Sequence, residues 1–322
     1  MAEAATFPAK SAESGQDSFE RSKVHYPRQE SSVTEAQPAS QRPRTSSTST
    51  LLQAISERDA LILGSIAEFR LLSTTQIREL HFSAHASKDA AIQATWAVLR
   101  RLEERRLLQR VGRQRRFAVG GSTPVTWGLD TAGERVTRFL GGEPKAPRRR
   151  NLLPEGDEYH HTLTVADTFL RLVRSHRTGR IDLVEVRGEP AAWRNYPGQL
   201  GRAITLKPDL ALITQTPEYR DHWFVEVDLG NQSIPRLIRK CQRYEQYRAS
   251  GLEQQRLGVF PRVVWVMPNE HRADRLRAAI ASERELRPGM FLVTVPDRLI
   301  VAISDDGLSS PMRHQFNERR RP

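Results

Sequence analysis

The chain has 322 residues, 50 Lys and Arg against 38 Asp and Glu, and a formal charge of +12. It holds no run near the roughly 18–20 apolar residues of a membrane span and no apolar signal region at its start, and its single cysteine, Cys241, excludes a disulfide framework and a cysteine-rich zinc site. These features leave a soluble basic protein with no membrane role, expected in the cytoplasm, whose charge points to a nucleic-acid partner.

Residues 1–50 contain 15 Ser or Thr and three aromatics, and their charges cancel. So little apolar surface cannot offset the entropy of ordering, and the stretch is expected to be a disordered tail. Residues 51–150 carry a net +8 and residues 151–322 a net +4, so phosphate contacts are sought first in the middle third.

Three helices and a hairpin are predicted over 51–140. Ser56 caps a helix with Leu61, Ile62, Ile66 and Phe69, and Ser73 caps a shorter one enclosing Ile77 and Leu80. Ser87 caps a third over 88–106, with Ile92, Trp96, Leu99 and Leu102 at helical spacing. A strand at 107–111, a turn at 112–116 and a return strand from Phe117 follow, and 127–136 reads as a strand end feeding a closing helix. This order describes a winged helix-turn-helix. Its third helix would enter the major groove of double-stranded DNA, presenting Lys88, Asp89, Gln93, Arg100 and Arg101. The wing would offer Arg110, Arg113, Arg115 and Arg116, whose guanidinium forks suit phosphate or minor-groove contact. The plainer alternatives are a solvated helix face balanced by Glu103 and Glu104, or a winged helix that docks a protein.

Paired Gly, two Pro and a basic run mark 141–154 as a linker. A second domain is expected over 155–305, followed by a basic tail over 306–322. Its predicted elements are a helix at 160–176, strands at 181–186, 204–213 and 223–228, a helix at 234–249, a strand at 262–267, a helix at 271–284 and a strand at 291–295. That order implies an α/β or α+β domain with a mixed sheet covered by helices, and it is the order of the restriction-endonuclease-like fold.

Lys207-Pro-Asp209 and Glu226-Val-Asp228 fall on the second and third strands. Alternation puts Glu226 and Asp228 on one face and Trp223, Val225 and Val227 on the other. With Asp209 on the neighbouring strand, three carboxylates converge, an oxygen site of the kind Mg²⁺ or Mn²⁺ takes. The spacing matches the PD-(D/E)xK nuclease motif except that Asp228 stands where the motif has Lys. The helix at 234–249 buries Ile234, Leu237, Ile238, Cys241 and Tyr244, and carries Arg236, Lys240, Arg243 and Tyr247 along the edge of that face. Lys240 could therefore stand in for the displaced lysine, giving a catalytic set of Asp209, Glu226, Asp228 and Lys240. Equally, the two acids could pair with Arg236, Lys240 or Arg243 in a structural ion network.

Other features carry less. His160 and His161 point to different sides of a helix, which suits a capping or core role for His161 better than a shared metal. Asp167 is expected to pair with Arg171 at i+4, Cys241 to be a buried small hydrophobe, and 305–307 to be a turn. Walker-type, GxGxxG and HExxH motifs are absent from the sequence, which argues against nucleotide-binding and metalloprotease chemistry.

Taken in order, Trp127-Gly-Leu-Asp-Thr-Ala-Gly133, His161-x-Leu163-x-Val165-x-Asp167-x-Phe169, Pro208-Asp209 and Phe224-Val-Glu-Val-Asp-Leu-Gly230 resemble the replication-relaxation family of bacterial plasmids and integrative elements, over roughly residues 55–300. The resemblance implies a role in plasmid replication or in relaxation of supercoiled DNA. Two classes of function stay open: a non-catalytic DNA-binding accessory protein acting beside a relaxase or replication initiator, its second domain a scaffold or homodimerisation module, and a winged-helix-targeted metal-dependent nuclease or nickase. Asp228 in place of lysine favours the first, which needs no cofactor. Asp209 and Glu226 keep the second open, with Mg²⁺ or Mn²⁺ as its metal.

Overall fold

In the computed structural model, which describes residues 48–85, 87–111, 125–142, 153–198, 201–216, 219–304 and 317–319, the serines expected to cap the first helices do so. Helix α1 (Thr48–Ala54) precedes α2 (Glu57–Phe69), where Ser56 and Asp59 cap each other's backbone amides. Strand β1 (Leu72–Ser73) leads into α3 (Thr74–His81) through the same reciprocal box, made by Ser73 and Gln76. Ser87 accepts from the amide of Ala90 at the start of α4 (Lys88–Glu104). Strands β2 (Leu108–Val111) and β3 (Thr126–Leu129) pair antiparallel, β1 adds to the other edge of β3, and α5 (Thr131–Leu140) follows the Asp130 cap. Trp127 is fully buried under this small sheet, its indole donating to Thr74 Oγ1 at 2.9 Å.

Two expectations at the start of the chain change. Residues 48–50 belong to α1 rather than to the tail, because Leu51 one turn on is buried in the core. The rest of the expected tail, the turn at 112–116 with Arg113, Arg115 and Arg116, the return strand from Phe117, the linker residues 143–152, the turn at 305–307 and nearly all of the basic C-terminal tail lie outside the described residues.

The second half is mixed α and β, as expected. Helix α6 (Gly156–Arg177) is followed by β4 (Asp182–Arg187), β5 (Arg194–Pro197), β6 (Ala203–Leu206), β7 (Leu210–Gln215) and β8 (Tyr219–Val227). Next come α7 (Ile234–Ala249), α8 (Leu252–Leu257), β9 (Arg262–Val266), α9 (Glu270–Ser282), β10 (Phe291–Thr294), α10 (Leu299–Ile303) and β11 (Asn317–Arg319). The main sheet runs β10-β9-β8-β7-β4, parallel between β8, β9 and β10 and antiparallel elsewhere, with β11 on the first residues of β8.

The single strand expected over 204–213 is two. Pro208 has no amide to give a ladder, so the strand stops at Leu206 and restarts when the Asp209 amide reaches the Val225 carbonyl at 3.1 Å. The first piece, β6, pairs with β5 in a separate hairpin, an element that local periodicity did not single out. Lys207-Pro-Asp209 therefore sits on a connection, with Asp209 at the mouth of β7.

Alternation along β8 sorts the core as expected. Trp223, Val225 and Val227 join Leu210, Leu212, Val264 and Val266 beneath α6 and α10. Phe224, Val263 and Trp265 face α7 and α9 on the other side. The first of these clusters does not stop at the linker. It runs on through Phe169 of α6 to Phe69, Ile77, Leu99 and Trp127. Polar contacts reinforce the join: Gln76 donates to Asp167 at 2.7 Å and to the Leu163 carbonyl at 3.0 Å, and Arg174 grips Glu79 at 2.6 Å. Asp167 thus serves α3, not Arg171, which turns to Asp297.

A shared core should outlast a cut chain. After a protease nicks the segment between 141 and 154, the two fragments should co-elute in native gel filtration and part only in denaturant. Separate elution without denaturant would contradict a continuous core.

Candidate functional site

Helix α4 presents one polar face. Its inner side is taken by Ala91, Thr95, Leu99 and Leu102, leaving Lys88, Asp89, Ala90, Gln93, Ala97, Arg100, Arg101 and Glu104 exposed. Gln93, Ala97 and Arg100 follow at four and three residues, so they form one stripe along the helix. Arg101, expected in the same interface, is committed elsewhere: it holds the Asp59 carboxylate at 2.5 Å, and the Asp59 side chain is only 2% exposed. Arg110 on β2 pairs with Glu103 at 2.8 Å and lies over the Trp127 ring, 5.3 Å from its centroid. Both arginines support the fold in this arrangement.

The acidic residues sit where β7 begins and β8 ends, between α6 and α7. Asp209 is buried. Its Oδ2 accepts from the Val227 amide at 2.7 Å and lies 3.3 Å from His161 Nε2, which also contacts the Val227 carbonyl at 3.1 Å. Burial alone would raise the Asp209 pKa, but the His161 hydrogen bond, the charges of Lys240 and His161, and the Val227 amide hold it below the ordinary value. The reverse holds at His161, where burial favours the neutral ring. The bond to Asp209, its charge and the Val227 carbonyl prevail and lift the pKa to about 9. This histidine is a cation at neutral pH, a role beyond capping or core packing.

Glu226 is taken by α7. Lys240 Nζ bonds Oε2, and the Tyr244 hydroxyl donates to Oε1 at 2.5 Å. Burial pushes the Glu226 carboxyl up to about 7, and Asp209 adds to the rise against the pull of Lys240. Lys240 itself, 30% exposed at its side chain, is held cationic: burial would lower its pKa, and Glu226, Asp209 and Glu189 outweigh that. Glu189 is a member of this cluster that sequence reasoning missed. Burial and the charge of Asp209 raise its pKa, while Trp193, His161 and Lys240 pull it down.

Asp228, at the motif's lysine position, shares the face of Glu226 but meets α9. Arg272 clamps it through Nε and through Nη2, the latter at 3.1 Å, and the Gly230 amide adds a bond at 3.1 Å. A guanidinium fork on one carboxylate is among the stronger ionic contacts. The partner expected from α7 therefore comes from α9 instead, 44 residues along the chain, where no local signal could indicate it.

Asp209, Glu226 and Lys240 are thus brought together, and Asp228 is not. Each of the three carboxylates accepts from protein donors, and among the described residues no group of three or more His, Cys, Asp or Glu could hold a metal ion. Of the three carboxylates expected to converge, Asp228 is held apart by Arg272. Cys241 is buried as expected, and burial pushes its thiol up to about 12.

The family model described as replication-relaxation matches residues 63–263. The chain belongs to the replication-relaxation family. The match spans α4, α6, the acidic cluster and α7, and ends within β9. No curated protein and no solved structure matches the chain. No helix among the described residues is long and apolar enough to cross a membrane.

His161 gives the cluster a pH dependence whose sign is fixed. A histidine whose pKa rises from 6.5 to about 9 on folding contributes stability that is complete below pH 6.5 and lost as pH climbs through 9. The rise at Glu226 has the same sign but is spent by about pH 7. Melting temperature should therefore fall between pH 7 and 9 in the wild type, and His161→Gln should flatten that decline. An identical decline in the variant would contradict the assignment.

Proposed function

We propose that this replication-relaxation protein binds double-stranded DNA in a sequence-directed way, as a non-catalytic accessory factor in the replication or relaxation of a plasmid or mobile element. The observation that carries the reading is the polar stripe on α4, whose Gln93 and Arg100 have no side-chain partner among the described residues, backed by the basic sequence 112–116. In this reading α2, α3 and α4 with β2 and β3 act as a winged helix, and α4 enters the major groove. Ala97 at the centre of the stripe lets the helix backbone approach, Gln93 and Arg100 reach base edges, and Lys88 contacts the backbone. Arg113, Arg115 and Arg116 add phosphate contacts. A relaxase or initiator acting on the same DNA is the natural protein partner, and a homodimer would let paired half-sites be read.

A second reading, a metal-dependent nuclease, draws on the convergence of Asp209, Glu226 and Lys240. The donor set fits a metal poorly, since Lys240 occupies Glu226 and Arg272 holds Asp228. Purified protein with supercoiled plasmid and Mg²⁺ or Mn²⁺ should leave the plasmid supercoiled. Nicking that disappears in Asp209→Asn would establish the second reading.

Binding to a fluorescent duplex across a salt series tests the first. Replacing Arg113, Arg115 and Arg116 by Ala should lower the slope of log K against log salt by about 0.9 for each lost phosphate contact. Gln93→Ala with Arg100→Ala should narrow the gap between preferred and random duplexes. Arg101→Ala should instead destabilise the fold, because Asp59 loses its cation. Unchanged slopes and unchanged discrimination would contradict the proposal.

A further inference from the structure

We infer that α7 carries a second phosphate-contacting surface for duplex DNA, formed by Arg236, Arg239 and Arg243. The inference rests on the DNA-binding reading and assigns to the second half of the chain a part of that function.

Helix α7 holds five basic residues and one acid, Glu245, which is taken by Arg248 and the Arg287 amide. Its inner face is Leu237, Ile238, Cys241, Tyr244 and Tyr247. Lys240 turns to Glu226. Arg236, Arg239 and Arg243 are all exposed, and none has a carboxylate partner among the described residues. Six other arginines in the same half of the chain, Arg187, Arg194, Arg248, Arg256, Arg272 and Arg277, each hold a carboxylate. The acids that could have neutralised the row are already satisfied, Glu226 by Lys240 and Asp228 by Arg272.

The spacing suits a phosphate backbone. Three and four residues apart, the arginines occupy one side of the helix over about 10.5 Å, at about 1.5 Å per residue. One DNA strand places a phosphate about every 3.4 Å along the duplex axis, so the row spans about three of them. At about 100° per residue, Arg236 and Arg243 lie within about 60° of Lys240 on the helix circumference. The row therefore borders the Glu226–Lys240 pair and extends the positive rim of that site outward. The β5–β6 hairpin packs against α7 through Tyr196, whose hydroxyl reaches the Arg243 carbonyl at 3.4 Å and feels the Arg243 charge, so the helix is held rigidly behind the row. Guanidinium groups with no carboxylate partner among the described residues, aligned on a fixed helix, match a phosphate backbone in charge and repeat.

Phosphate contacts carry no sequence information, so this surface should add affinity without adding discrimination. The test compares the full-length protein with Arg236→Gln/Arg239→Gln/Arg243→Gln, with Gln93→Ala/Arg100→Ala, and with a control, Arg180→Gln/Arg275→Gln/Arg284→Gln. The control removes the same charge from exposed sites elsewhere. Each binds a preferred and a random fluorescent duplex across a salt series, and melting temperatures monitor folding. The α7 variant should melt like wild type, lose up to about 2.7 units of salt slope and weaken on both duplexes alike, while the control keeps its slope. A wild-type slope in the α7 variant, beside lost discrimination in the α4 variant, overturns this inference and leaves the DNA-binding reading standing. An equal loss in the control overturns it too, because bulk charge would then suffice. A wild type that binds no duplex overturns both.

Discussion

A carboxylate taken out of water costs several kcal/mol unless its lone pairs are met by donors and its charge by a cation. Three of them are buried at one end of β7 and β8, so that part of the chain is organised around supplying partners. Asp209 draws His161 from α6 and the Val227 amide. Glu226 draws Lys240 and Tyr244 from α7. Asp228 draws Arg272 from α9. Each of the three helices is pinned to the sheet by an ionic contact as well as by its apolar face, and α6 passes the constraint on to α3 and hence to α4. The stripe proposed to meet DNA therefore rests on a framework whose far end is the acidic cluster.

The same satisfaction shapes what the site can do. In the nuclease motif the residue two after the second acid is a cation facing the reacting phosphate. Here it is Asp228, and its charge is cancelled internally by Arg272. Lys240 supplies a positive group nearby but spends it on Glu226, which leaves the cluster close to neutral and short of free oxygen ligands. Among the described residues, arginines without a carboxylate partner lie instead on the surface, along α7 and on α4.

Much of this was legible in the sequence where the determinant is local. Ser56, Ser73 and Ser87 mark helix starts through backbone bonds within three residues, and α7 has the bounds that its apolar spacing indicates. The Glu226/Asp228 alternation and the reach of Lys240 also follow from period alone. What was not legible depends on partners distant in sequence. Arg272 reaches Asp228 from α9 and Glu189 enters from the connection after β4, and the contacts of Arg101 with Asp59 and of Arg110 with Glu103 and Trp127 are made only in the folded chain. The split of 204–213 was written in Pro208, but only the hairpin partner β5 shows where the first half goes. The core that runs from α6 to α2, α3 and α4 was not legible either, because sequence period reports which face is apolar and not which surface covers it.

The central claim is that protein cations, not a metal, neutralise the buried acids. Thermal melts at pH 8 of wild type and Lys240→Ala, each with and without Mg²⁺ or Mn²⁺, test it most directly. The account predicts a wild type indifferent to metal and a Lys240→Ala variant destabilised on the order of 3–5 kcal/mol, since Glu226 is left buried without its cation. A wild type that metal stabilises, with Lys240→Ala melting close to it, would contradict the account.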